Sequence, residues 1–106
     1  MSGGVNLVLV GMMGSGKTAV GRLLAERLER AFVDLDEEIA SAAGCPVVEL
    51  FEREGENGFR AREAEAVAAV AARTGQVVAT GGGVVLDPAN IAALRASGAV
   101  VWLDVE

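Results

Sequence analysis

Hydrophobic and polar positions along this chain follow two kinds of pattern in turn. Short, mainly apolar runs suit strands buried on both faces of a sheet: VNLVLVG at 5–11, AFVDLD at 31–36 ending in two carboxylates, QVVATGGG at 76–83 running into three glycines, and AVVWLDVE at 99–106. Between them lie stretches whose apolar residues recur every three or four positions, the period of a helix. In KTAVGRLLAERLER the stripe is Val20, Leu23, Leu24 and Leu28, with Arg22, Glu26 and Arg30 falling between. DEEIASAAG reads as a short helix stopped by Gly44, and CPVVELFEREGENG opens with Pro46 in a first helical turn. FRAREAEAVAAVAARTG is a longer helix closed by Gly75. DPANIAALRASG carries Asp87 as N-cap, Pro88 at the first helical position and Gly98 as terminator. Strands and helices in this alternation predict an α/β domain of three layers, a parallel sheet with helices on both faces.

Composition narrows the class. A chain of 106 residues, 52% hydrophobic and 23% charged, reads as one globular domain spanning 1–106, with no internal repeat or linker. Aromatics make up only 4%, so the core must be built from Val, Leu, Ile and Ala. The formal charge of -6 argues against nucleic acid or an anionic membrane surface as partner. An anionic ligand would need backbone amides and a few placed cations. Histidine is absent, which removes the commonest acid–base residue, and the single Cys45 allows no internal disulfide. The first apolar run follows no basic segment and is too short to span a bilayer, so a cytoplasmic protein is the expectation.

The strongest chemical signal is GMMGSGKT at 11–18, which fits G-x-x-x-x-G-K-[ST] between an apolar run and a periodic stretch. Such a loop wraps phosphate with inward-pointing amides, and the helix that follows adds its positive end. Gly14, Ser15, Gly16, Lys17, Thr18 and Ala19 are therefore the expected nucleotide-binding residues, with Lys17 at the β/γ-phosphates and the Thr18 hydroxyl toward Mg²⁺. For a metal carboxylate, Asp34 and Asp36 in VDLD are preferred over Asp104. A persisting strand pleat would send both from one face at the ligand-binding end of the sheet. The competing reading is a solvated strand end and an N-cap. Arg60 and Glu63, three apart on one helix face, read by themselves as an ordinary surface ion pair. Gly81, Gly82 and Gly83 permit a close backbone approach to a ligand, or a hinge. Cys45 and Trp102 read as core.

Taken together, GMMGSGKTAVGRLLAERL, FVDLDEEI, ELFEREGENGFRAREAEAV and VVATGGGVVL resemble the shikimate kinase family in order and spacing along essentially the whole chain. That resemblance implies a P-loop NTPase-type fold with strand order 2-3-1-4. It also implies transfer of the ATP γ-phosphoryl group to the 3-hydroxyl of shikimate, in chorismate and aromatic amino acid biosynthesis. By matching position, Lys17 and Asp36 would be catalytic, with Asp36 holding the substrate hydroxyls and acting as base. Thr18 and Asp34 would serve the metal, Asp34 through water. Arg60 would clamp the substrate carboxylate, with Glu63 orienting Arg60. Gly81, Gly82 and Gly83 would run along the ring, and Phe51 and Phe59 would wall the pocket.

The family pattern continues past a fourth strand with a mobile arginine-bearing lid, a second carboxylate-binding arginine, a fifth strand and an adenine-contacting segment. The reading of these 106 residues is a domain without that lid and C-terminal part. Two alternatives follow, an inactive nucleotide-binding module and a related kinase acting on a polyol acid such as gluconate. The expected partner is a small molecule. The expected state is a monomer for the complete pattern, with self-association through the exposed sheet edge as the alternative.

Overall fold

The computed structural model describes residues 5–11, 17–81, 84 and 87–103, with the backbone alone at Lys17 and Leu103. Its elements are β1 (Asn6–Gly11), α1 (Lys17–Leu28), β2 (Ala31–Asp34), α2 (Leu35–Ala43), α3 (Val47–Ala71), β3 (Gln76–Ala79), α4 (Pro88–Ser97) and β4 (Gly98–Leu103). The strands form one sheet in the order β2-β3-β1-β4, with every pairing parallel. This is the order the family resemblance implies.

The two faces of the sheet are covered unequally. Val8, Val10, Val33 and Val78 face α2, α3 and α4, where Leu35, Ile39, Leu50, Phe59, Val67, Val70 and Leu94 close the larger core. On the other face Leu9 and Val77 meet α1 through Ala25, with Leu7, Leu24 and Phe32 at its margin. The expected α1 stripe is only partly the buried one. Val20, Leu23 and Leu28 are exposed, and the helix turns Gly21 and Ala25 to the sheet instead. A Cβ at Gly21 would strike the Phe32 ring, so the missing side chain lets α1 lie close to β2.

Local chemistry explains where the elements stop. Asp34 ends β2 and caps α2, its Oδ1 accepting from the amides of Asp36 and Glu37. The strand pleat therefore does not run on to Asp36, which sits in the first turn of α2. Gly44 closes α2 in the left-handed conformation, at φ 77°. Asp87 caps α4 through the Ala89 amide, with Pro88 in the first turn, as the sequence predicts. Helix α3 ends at Ala71 rather than running to Gly75, and Gly75 turns the chain into β3.

At the N-terminal edge of the sheet, neutral amides seal the core. Asn6 donates to the carbonyls of Arg73, at 3.0 Å, and Val70. Its Oδ1 accepts from the backbone and side-chain amides of Gln76, and Gln76 Nε2 also reaches Val70 O. The Val70 carbonyl in the last turn of α3 and the Arg73 carbonyl just past it thus find partners in two buried side chains. At Gly98 a Cβ would run into the Asn6 backbone, so β4 can pair there only without a side chain.

One core expectation fails. Trp102 is 58% exposed. Among the described residues β4 has a neighbour only on the β1 side, so its apolar sequence lacks cover on the outer flank.

Candidate active site

At the C-terminal edge of the sheet the chain leaves β1, β2 and β3 side by side. Asp34 lies in register with Ala79, and Ala79 with Leu9. Thr80 fastens the exit of β3 to β1, donating from both its amide and its hydroxyl to the Leu9 carbonyl, at 3.1 and 2.9 Å. Two residues past the Asp34–Ala79 register, Asp36 and Gly81 meet. A Cβ on Gly81 would come within 3.0 Å of Asp36 Oδ1 and 3.4 Å of Oδ2. The glycine lets the carboxylate rest against bare backbone, and the Asp34 cap fixes the turn that carries it.

Helix α3 brings the cation. Phe59, Glu63, Val67 and Val70 form its buried stripe, and Arg60 lies beside that stripe, half-buried. Arg60 Nη1 donates to Glu63 Oε1 at 3.0 Å, and Nη2 stands 3.6 Å from Glu56. The pair is not a surface ion pair as its spacing suggests, for Glu63 is only 1% exposed. A buried carboxylate is costly to ionise unless a cation and hydrogen bonds compensate. Burial raises the Glu63 pKa above the ordinary carboxylate range. The Arg60 hydrogen bond and charge pull it back, and the charges of Asp36 and Asp87 push it up further. Asp36, Asp87, Glu63 and Arg60 therefore share one electrostatic neighbourhood. The Arg60 guanidinium also stands 5.6 Å from the Phe59 ring centre, and Phe51 stacks on Phe59 with centroids 4.4 Å apart.

The expected residues are placed as follows. Asp36, Arg60, Glu63 and Gly81 gather as described, with Phe59 beside Arg60 and Phe51 stacked on Phe59. Thr18 and Ala19 stand exposed in the first turn of α1, and Lys17 begins that helix. Asp34 is half-buried and engaged as an N-cap, not paired with Asp36 on a pleat. Gly14, Ser15, Gly16, Gly82, Gly83 and Asp104 lie outside the described residues. The role of Glu56 was missed, although E-x-x-x-R-x-x-E spacing places carboxylates before and after Arg60 on one helical face. No group of three acidic or cysteine side chains among the described residues could hold a metal ion. Mg²⁺ fits such a site nonetheless, because it keeps several waters and takes few protein ligands besides substrate phosphates. One hydroxyl and one carboxylate near the sheet edge suffice.

A parallel sheet whose first strand is followed by the sequence GMMGSGKT and then α1, with an acid and a guanidinium toward its C-terminal edge, has the layout of a phosphate-loop α/β protein. The family model for shikimate kinase matches residues 13–106. The shikimate kinase of Symbiobacterium thermophilum is 62% identical over 102 residues, covering 96% of this chain and 59% of that protein. The solved shikimate kinase of Acinetobacter baumannii in complex with shikimate superposes with a TM-score of 0.93 at 45% identity, covering 96% of this chain and 57% of that one. That of Aquifex aeolicus gives 0.90 at 33% identity, covering 95% and 60%. This chain belongs to the shikimate kinase family, and it spans somewhat over half the length of these relatives. Among the described residues no helix is long and apolar enough to cross a membrane.

Proposed function

We propose that this chain carries the phosphate loop and acceptor pocket of a kinase that moves the γ-phosphoryl group of ATP to the 3-hydroxyl of shikimate, in the cytoplasm. The carrying observation is the Asp36 carboxylate set against Gly81, in the same neighbourhood as an Arg60 held by buried Glu63. The complex of the 45% identical Acinetobacter relative with shikimate supports the choice of acceptor.

The residues divide the work. A hydroxylated carboxylic ring offers one anionic group and several hydroxyls. The planar Arg60 guanidinium suits the carboxylate, since a fork of N–H donors matches its two oxygens. Glu63 and Glu56 hold that guanidinium from two sides, which reduces the rotamer freedom lost on binding. Asp36 accepts from the ring hydroxyls and takes the proton of the attacking one. Gly81, Gly82 and Gly83 let the ring lie against backbone, and Phe51 and Phe59 wall it. Gly14, Ser15, Gly16, Lys17, Thr18 and Ala19 cradle the triphosphate. Mg²⁺ would be held by Thr18, with Asp34 through water, and when bound it neutralises charge on the transferring phosphoryl group. Phosphoryl transfer depends chiefly on such positioning and neutralisation, so the absence of histidine is no obstacle.

The test is ADP release by the chain with a panel of acceptors. Release that requires shikimate, Mg²⁺ and Lys17 is the expected result. Release independent of shikimate, or faster with gluconate, would overturn the assignment. ATP binding with no transfer to any acceptor would identify a nucleotide-binding module instead.

A further inference from the structure

Helix α3 consists of two helical segments that meet at a kink. At Gly55 the backbone takes φ 72° and ψ -176°, far from helical values, and the chain bends there. Two pairs of side chains report how sharply. Residues eight apart on a straight helix are separated by about 12 Å along its axis. Phe51 and Phe59 are eight apart, yet their rings stack at 4.4 Å with 24° between planes. Glu54 and Arg62 are also eight apart, yet Arg62 Nε and Nη2 donate to Glu54 Oε1 and Oε2, both at 3.0 Å. This two-bond fork is the geometry in which arginine and carboxylate bind most specifically. The side chain of Glu54 also fills the space a Cβ on Gly58 would occupy.

The bend decides which groups face each other. Phe51 belongs to the segment before Gly55, anchored by buried Leu50, whereas Phe59, Arg60 and Glu63 belong to the segment after it. The wall offered to the acceptor ring and the cation offered to its carboxylate thus sit on two helical segments meeting at one glycine. Glycine at a positive φ sets no single angle by itself, because its backbone freedom is the largest of any residue. Something else must hold the angle.

We infer that the Glu54–Arg62 fork latches the bend of α3 and thereby positions Phe51 relative to Arg60 for the acceptor; this rests on the proposed acceptor site. Neither Glu54 nor Arg62 belongs to the substrate-contacting set, and both act as positioning residues. Their side chains are about one third exposed, so the fork contributes little to global stability. Its effect is local, on the angle between two short helical segments.

The test uses the 106-residue chain with fluorine-labelled phenylalanine, which gives three signals, for Phe32, Phe51 and Phe59. In Glu54→Gln and in Arg62→Met the Phe51 and Phe59 signals move toward unstacked values while that of Phe32 stays. Calorimetry on the same samples finds shikimate binding roughly three- to tenfold weaker, ATP binding within about twofold of the parent, and an unchanged Tm. The reversed pair, Glu54→Arg with Arg62→Glu, restores both the fluorine signals and shikimate affinity. Unmoved Phe51 and Phe59 signals in both single variants overturn the latch. Moved signals with unchanged shikimate affinity overturn its positioning role. If the parent chain binds no shikimate the acceptor assignment fails separately, and the fluorine signals alone then decide the bend.

Discussion

The two edges of the sheet bury polar groups in opposite ways. At the N-terminal edge Asn6 and Gln76 are neutral and hydrogen-bonded to each other and to the backbone, and they tie the end of α3 to β1 and β3. At the C-terminal edge the buried group is Glu63, with Arg60 beside it and the charges of Asp36 and Asp87 acting against it. Buried neutral amides that are hydrogen-bonded fix a fold at little electrostatic cost. A buried carboxylate among like charges is poorly explained by stability, since an apolar residue of similar volume would often serve the fold as well. The first edge holds the molecule together. The second, in the proposed reading, holds charged groups in position for a ligand.

Substitutions can break or sharpen this contrast. The largest expected effect is at the charged edge: Lys17→Ala should slow shikimate-dependent ADP release by roughly 10²- to 10³-fold with the fold intact, as single-turnover kinetics and circular dichroism would report. Next comes the neutral edge. Asn6→Ala strands the Arg73 carbonyl and the Gln76 amide, costing about 2–4 kcal/mol in chemical denaturation, with shikimate affinity of the folded fraction unchanged. Arg60→Met should weaken shikimate binding about 10- to 100-fold and leave ATP binding alone. Equal losses for both ligands would contradict the clamp.

The smallest effect carries a sign. Glu63 is an acid whose pKa is raised in the folded chain. Its contribution to stability is therefore fully present below its unfolded pKa of about 4.3 and is lost as pH rises through the folded value. Glu63→Gln cannot ionise, so its stability relative to the parent should improve as pH rises from 4 toward 8. Denaturant midpoints across that range check the sign. The same variant keeps an oxygen for Arg60 but loses the charge, and shikimate binding should weaken by roughly five- to tenfold.

Much of this architecture was legible in the residues. Unbroken valine and leucine runs gave the strands, and the caps at Asp87, Pro88 and Gly44 gave helix limits, because these signals are local. What was not legible depends on packing. The Val20–Leu28 stripe looked buried, but Gly21 and Ala25 face the sheet because small residues let α1 approach Phe32. Trp102 looked like core because an apolar strand does not reveal whether it lies at an edge. Asp36 was expected on a strand pleat, whereas Asp34 caps α2 and carries Asp36 into the first helical turn beside Gly81. Spacing made Arg60–Glu63 look superficial, since it cannot say which helical face is covered. In the site, only family resemblance drew distant pieces such as VDLD and GFRARE together.

The account rests on the charged edge being the acceptor site, and nitrogen–proton correlation spectra of the labelled 106-residue chain titrated with shikimate test it most directly. The prediction is that the amides of Asp36, Arg60 and Gly81 shift with shikimate concentration while those of Asn6 and Gln76 stay fixed. Saturable shifts that spare residues 36, 60 and 81, or no shifts at millimolar shikimate, would contradict it.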